Sequence, residues 1–378
     1  MRVLLLGGGM IAQDQLLPSL YQLQRLGRIE DIQVCSIRKD SLEELATHPK
    51  ICAAFPGHSF AATMEPYADL IGRLPKHSLV VVGLPDQLHY DAVMTSLRAD
   101  QHVLSVKPLV LKLAQSREIE QEARGRGLLV GVEYHKRFDD RSHMARQRCR
   151  TGLFGEFKLG TACLLEKAYY RQSNFQNWFT CENTDAFTYI GCHYVDLVHF
   201  ITGLLPVAVS LFGIKDSFPN GNVGYLWTDA RVTWNNGACL NVQNALGFPD
   251  AAPGSNTQGL TMYFSDGALN HSDQYRGLAY CQTDTGYSEP SPDYFMYADY
   301  GGPGLVPSGY GYRSVAYIVE RALDLLGKPL AERQAMLQTW DEAGIMATPA
   351  NSAFNDALIE AARASILSGG REVAVKMA

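Results

Sequence analysis

The chain has 378 residues, with 33 Lys+Arg against 39 Asp+Glu and a formal net charge of −6 at pH 7. That length is generous for one core and comfortable for two domains; the acidic balance argues against nucleic acid or an anionic membrane as partner, and no apolar run is long enough to span a bilayer. Eight cysteines lie scattered without a C-x-x-C pair, which suits reduced thiols better than a disulfide framework or a zinc site and makes the cytoplasm the expected compartment.

In chain order, the apolar run Arg2-Val3-Leu4-Leu5-Leu6 enters Gly7-Gly8-Gly9-Met10-Ile11-Ala12, and a helix-like stretch follows from Gln15 to Leu26. Strand, tight turn and helix are the context that a G-x-G-x-x-A dinucleotide fingerprint requires. Gly7 makes the turn, Gly9 lets the backbone approach a pyrophosphate, and Ala12 keeps the helix close to its strand. The phosphates then sit on the helix N-terminus. Gly7, Gly9, Met10, Ile11 and Ala12 are the candidate cofactor contacts of this segment; the competing reading is a plain strand-to-helix turn in a flavodoxin-like domain. Further strands are expected at residues 32–36, 79–85, 102–106 and 128–132, with helices at 41–47, 86–98 and 113–125. Such alternation predicts an α/β fold with a doubly wound parallel sheet, the Rossmann arrangement, over residues 1–131. Ligands then lie beyond the carboxyl ends of the strands.

The residues just after each strand therefore carry the weight. Ser36-Ile37-Arg38-Lys39 stands where a carboxylate would select NAD. A hydroxyl and a guanidinium at Ser36 and Arg38 suit a 2′-phosphate, pointing toward NADP; a solvated charged loop is the alternative. Leu84 and Pro85 close the strand at 79–85 and His89 follows it, all three candidate cofactor contacts. Lys107-Pro108 follows the next, where a lysine beside a nicotinamide can bind a sugar hydroxyl or relay its proton; a simple Lys-Pro turn is the bland alternative. Tyr134-His135-Lys136-Arg137 follows the last strand, a cationic group suited to an anionic sugar or else a solvated strand end.

Beyond residue 150 the grammar changes. A strand at 157–164 and hairpin signals around Asn236-Gly237 and Asp266-Gly267 predict an α+β domain over 132–378 with an antiparallel sheet. Tyr189 to Gly203 has helical apolar spacing. The segment Thr283–Tyr312 is rich in Gly, Pro and Tyr, and reads either as a carbohydrate-binding lid or as dimer packing.

Four separated segments resemble the oxidoreductases typified by glucose–fructose oxidoreductase and inositol dehydrogenase (the Gfo/Idh/MocA family). They are the Gly7-Gly9-Ala12 turn, Pro85 with His89, His102-Val103-Leu104 leading to Lys107-Pro108, and Gly191-x-His193-x-x-Asp196 with Gly203. The closing helix from Asn355, with Gly369-Gly370, is also similar. The resemblance implies a large open, mostly antiparallel C-terminal sheet through which many members associate, here as a homodimer or homotetramer. It also implies Lys107 as the lysine of a Glu-Lys-Pro motif and His193 as the histidine that exchanges a proton with the substrate hydroxyl. Two positions depart from it: Val106 stands where the motif has glutamate, and Tyr189 where the family has an aspartate four residues before the histidine. Tyr189 is thus a candidate catalytic residue, with packing under the helix as the alternative. Asp185 and Tyr194 join residues 134–137 as candidate substrate contacts.

His193-x-x-Asp196-x-x-His199 drifts around a helix and is not expected to hold a metal. The expected activity is NAD(P)-dependent hydride transfer at a hydroxyl or carbonyl of a sugar or glycoside. An NAD-dependent glycosidase working by transient oxidation at C3 is the alternative, and a cofactor-bound regulator without chemistry the third.

Overall fold

The computed structural model describes residues 1–272, 277–284 and 286–377. Six parallel strands open the chain: β1 (Val3–Leu6), β2 (Ile32–Cys35), β3 (Ala61–Thr63), β4 (Leu79–Val82), β5 (His102–Val106) and β6 (Val130–Glu133), in the order β3-β2-β1-β4-β5-β6. Between them run α1 (Leu17–Arg25), α2 (Lys39–Thr47), α3 (Pro49–Ala54), α4 (Tyr67–Arg73), α5 (His89–Arg98) and α6 (Leu113–Arg126). All residues of β1, β4 and β5 are buried, because helices cover both faces; their unbroken apolar sequences follow from that burial. The strand order reverses between β1 and β4, the place where doubly wound sheets open a crevice for ligand.

The following segment holds α7 (Asp140–Arg150), β7 (Phe157–Lys167), α8 (Phe175–Trp178), α9 (Cys192–Thr202), β8 (Pro206–Ser217), β9 (Val223–Trp234), β10 (Cys239–Phe248), β11 (Asn256–Phe264) and β12 (Ala268–Ser272), then the small pair β13 (Tyr280–Gln282) and β14 (Gly286–Ser288). Five of these strands and a terminal β17 (Val373–Ala374) flank β7 in one sheet, ordered β12-β11-β7-β10-β9-β8-β17. Only β7 and β10 run parallel; all other neighbours are antiparallel. Along β9, Leu226, Thr228, Ala230, Val232 and Trp234 are buried, while Asp229 and Arg231 are exposed. This is the period-two signature of a sheet with one covered face.

The chain forms two compact units, and the division is not a single cut at residue 131. The first unit contains Met1–Val110, Ala114–Phe138 and Asp293–Ala353; the second contains Leu111–Leu113, Asp139–Pro292 and Phe354–Ala378. The returning stretch brings the hairpin β15 (Met296–Ala298) and β16 (Val306–Ser308), then α10 (Tyr310–Asp324) and α11 (Leu330–Ala343), and runs into α12 (Pro349–Leu367). Its membership has a plain cause: Val315, Ile318, Val319 and Ala322 recur at helical spacing and pack into the same core as Leu104, Val106, Leu129 and Phe138.

The lid expectation for the tyrosine-rich segment changes accordingly. Tyr294, Tyr297 and Leu305 pack against the core of the first unit, and Tyr310 belongs to it. Tyr287 and Tyr300 remain exposed. Among the described residues no helix is long and apolar enough to cross a membrane.

Candidate active site

Gly7 has φ +100°, and a Cβ there would lie 2.3 Å from the Gly83 carbonyl oxygen. No other residue fits this crossing between β1 and β4. Its N–H donates to Cys35 O at 2.8 Å. A Cβ on Gly9, by contrast, would meet nothing within 4 Å, so the exposed face of the turn is open. Ala12 and Gln13 both donate their N–H to Gly9 O, and Ala12 is fully buried against the sheet. Helical backbone starts at Met10 and passes through a π turn, Ala12–Leu16, into α1. An open turn, first-turn N–H groups and the positive end of a helix fit a dinucleotide pyrophosphate.

Around this turn the carboxyl ends of the parallel strands gather the other predicted residues of the first unit. After β2, Ser36 Oγ lies 2.9 Å from Ser41 Oγ and accepts the Arg38 N–H at 3.2 Å. The Arg38 guanidinium pairs with Asp40, which holds the exposed Asp40 carboxyl below its ordinary pKa. After β4, Leu84 and Pro85 enter a short turn and His89 begins α5. The His89 ring is fully buried, with Nδ1 2.7 Å from Pro108 O and Nε2 2.8 Å from Leu84 O. It ties the turn after β4 to the turn after β5. Lys107, half-buried, precedes Pro108 through a cis peptide bond.

The group after β6 is not the solvated strand end that was one expectation. Tyr134, Lys136 and Arg137 are all buried. Arg137 donates to Gly344 O and Asn351 Oδ1 at 3.4 and 3.3 Å, and the Lys136 ammonium lies 5.8 Å from the Tyr310 ring centre. His135 stacks on Tyr310, with its Nδ1 3.1 Å from Glu133 Oε2.

In the second unit a π turn, Phe187–Gly191, leads into α9. His193 is 5 % exposed in the first turn of that helix, and Asn355 Nδ2 donates to Cys192 O at 2.9 Å, anchoring the turn to α12. Tyr194 is fully buried, its hydroxyl directed at Gln258 Oε1 at 3.5 Å. Asp185 is fully buried as well. Its carboxylate accepts from Thr188 N–H at 2.8 Å, Thr188 Oγ1 at 2.9 Å and Arg363 Nη1 at 3.0 Å. Those partners engage both oxygens in holding the start of the π turn. Tyr189 is half-buried, edge-on to Phe175 at 4.8 Å and near Trp178 and Phe179. Packing under the helix is therefore part of its role.

Gln15 and Ser314, which with Glu133 and Tyr294 form a buried polar cluster, were not legible in the sequence. The available signal was a glutamine on the core-facing side of the turn that leads into α1, which alone does not disclose its partners.

The open glycine turn at the switch point of the first unit's parallel sheet has the form of a dinucleotide-binding turn, and the second unit is an α+β fold built on a large mixed sheet. Residues 1–134 match the model of the Gfo/Idh/MocA oxidoreductase family, described as an NAD-binding Rossmann fold. Among curated relatives, D-glucoside 3-dehydrogenase of Escherichia coli K12 is 26 % identical over 208 residues, 54 % of each chain. The 1,5-anhydro-D-fructose reductase of Ensifer adhaerens is 30 % identical over 112 residues, covering 29 % of this chain and 32 % of that protein. The chain thus aligns with about half the length of these relatives at most. In fold, it is similar to GenD2 from gentamicin A biosynthesis in complex with NAD, with TM-score 0.72, 17 % identity and coverage of 100 % and 96 %. Scyllo-inositol dehydrogenase from Lactobacillus casei with bound NAD(H) and scyllo-inositol gives TM-score 0.68 and 15 % identity over 99 % of both chains.

Proposed function

We propose that this protein is an NAD(P)-dependent oxidoreductase acting on a hydroxyl or carbonyl of a sugar or glycoside. The observation that carries the reading is the glycine turn: Gly7 forced by its approach to Gly83 O, Gly9 open, and a helix N-terminus behind them. A nicotinamide cofactor, when bound, supplies the hydride acceptor or donor. The first-turn N–H groups of Met10 and Ile11 bind the pyrophosphate, and Ala12 keeps the helix close to its strand; Leu84 and Pro85 line the pyrophosphate's path, and His89 holds the backbone of that wall. Lys107 binds the reacting oxygen of the substrate. The His193 imidazole takes the hydroxyl proton in oxidation and returns it in reduction, the general acid–base role that histidine side chains most often fill. Tyr189, in place of a carboxylate, presents an aromatic edge and a hydroxyl for the sugar. Named dehydrogenases and reductases of glucosides and anhydrofructose among the relatives support a carbohydrate substrate.

Ser36 and Arg38 favour NADP. The phosphate takes over the guanidinium now paired with Asp40, a bidentate exchange for which arginine is suited. Homo-oligomers form through the outer face of the large sheet, where Leu159, Phe212, Ile214 and Tyr263 are exposed. Eight cysteines, none of them in a disulfide among the described residues, fit work in the reducing cytoplasm.

The test is to titrate purified protein with NADH and NADPH, then screen glycosides for absorbance change at the nicotinamide band and for free sugar. His193→Ala is expected to lower kcat by at least about a hundredfold while leaving cofactor affinity intact. Unchanged turnover in that variant refutes the assigned proton transfer. Free sugar released without net NAD(P)H establishes glycoside cleavage instead.

A further inference from the structure

A buried polar bridge joins the helix behind the glycine turn to the segment that returns from far along the chain. Gln15 lies in the π turn and is fully buried. Its Nε2 donates to Glu133 Oε1 at 2.6 Å and to Gly311 O at 3.0 Å, while its Oε1 accepts from the Tyr294 hydroxyl at 2.8 Å. Glu133, 1 % exposed at the end of β6, also accepts from Ser314 Oγ at 2.5 Å and has His135 Nδ1 3.1 Å from its other oxygen. All these groups belong to the first unit.

Burying an amide and a carboxylate is costly, and such groups persist only when fully bonded. Apolar side chains would fill the same volume with no desolvation penalty. What a satisfied buried network adds is a single fixed arrangement of the backbones that carry it. Here the backbone so fixed is the one whose first turn holds Met10, Ile11 and Ala12. The sheet register adds a second observation. Val106, which precedes Lys107, pairs directly with Glu133 on the neighbouring strand. Paired residues share a sheet face, so a carboxylate absent at position 106 is present one strand over, on the same side.

We propose that Gln15, Glu133 and Tyr294 are positioning residues for the cofactor: their bridge holds the N–H groups of the glycine turn on the pyrophosphate. Residues 293–314 then form a working part of the nucleotide site. The proposal rests on the reading that the turn binds NAD(P).

The experiment compares wild-type protein with Tyr294→Phe, Gln15→Met and Glu133→Gln. Dissociation constants are measured for NADH and NADPH by fluorescence quenching and for ADP-ribose by calorimetry. Amide exchange is followed over residues 7–20, with melting temperatures recorded for every variant. Tyr294→Phe and Gln15→Met are expected to weaken all three ligands about tenfold and to speed exchange in residues 9–16, the effect of leaving a buried polar partner unsatisfied. Glu133→Gln keeps one acceptor oxygen but loses the carboxylate, so it is expected to weaken all three ligands by a smaller factor, about threefold. Unchanged affinity in both Tyr294→Phe and Gln15→Met overturns the bridge, even where melting temperature falls, because packing alone then explains the cluster. Wild-type protein that binds none of the three ligands defeats the cofactor reading itself, a separate result.

Discussion

His102 gives a quantitative test of how the first unit is built. It opens β5, is fully buried, and its Nδ1 accepts the Leu129 N–H at 3.0 Å. The ring proton therefore sits on Nε2, and charging the ring means protonating Nδ1 and breaking that bond. Burial first, then the neighbouring His77 and Arg333, holds its pKa down at about 3 against an ordinary 6.5. The fold thus prefers the neutral ring, and between these values the unfolded chain binds the extra proton. The stability contributed by this residue is whole above pH 6.5 and drains away as pH falls toward 3. Over roughly three and a half pH units at about 1.4 kcal/mol each, the loss reaches on the order of 5 kcal/mol. Urea unfolding at pH 7.5, 6.5, 5.5 and 4.5 in wild type and His102→Asn measures it, since asparagine keeps an acceptor for Leu129 but does not titrate. Near pH 5 the wild-type curve should be steeper by up to about 1.4 kcal/mol per pH unit. Parallel curves across the range would refute the reasoning.

Gly9→Val should fold with an unchanged melting temperature, because its side chain enters open space, yet weaken NAD(P)H binding more than about tenfold by occupying the approach to the pyrophosphate. Gly7→Ala should instead cost several kcal/mol in urea unfolding, on the order expected for a side chain forced into a left-handed, clashing position; an undisturbed melt would contradict the crossing at Gly83. Arg38→Ala should lower affinity for NADPH about tenfold and leave NADH unaffected, and an equal loss for both cofactors would remove Arg38 from the 2′-phosphate. Asp185→Asn leaves the Arg363 cation without its carboxylate and should destabilise the second unit by about 3 kcal/mol, with less than about 1 kcal/mol showing that the pair is idle.

The parallel sheet was legible because strands covered on both faces spell themselves out: Leu79-Val80-Val81-Val82 admits no polar residue, and His102–Val106 falls where the apolar run places it. The short edge strand Ala61–Thr63 was not, since an exposed edge needs no such pattern. The glycine turn could be read because two backbone constraints demand small residues there. His89 could be located but not interpreted, as its partners are main-chain carbonyls that carry no sequence signature. Tyr294 and Tyr297 looked like a binding surface because an amphipathic aromatic reads the same whether it waits for a ligand or covers a core. Gln15 and Ser314, 299 positions apart, were beyond reach of any local pattern.

The return of Asp293–Ala353 to the first unit bears on how this polypeptide comes into being. A ribosome that has released residues 1–134 has delivered every strand of the parallel sheet but not α10, so the flank bearing Val106 and Leu129 stays greasy and uncovered. The nucleotide-binding half must wait through the synthesis of about half the protein before it can close. A fragment cut where the family likeness ends should therefore precipitate, whereas one in which 293–353 is spliced directly after 138 should remain in solution.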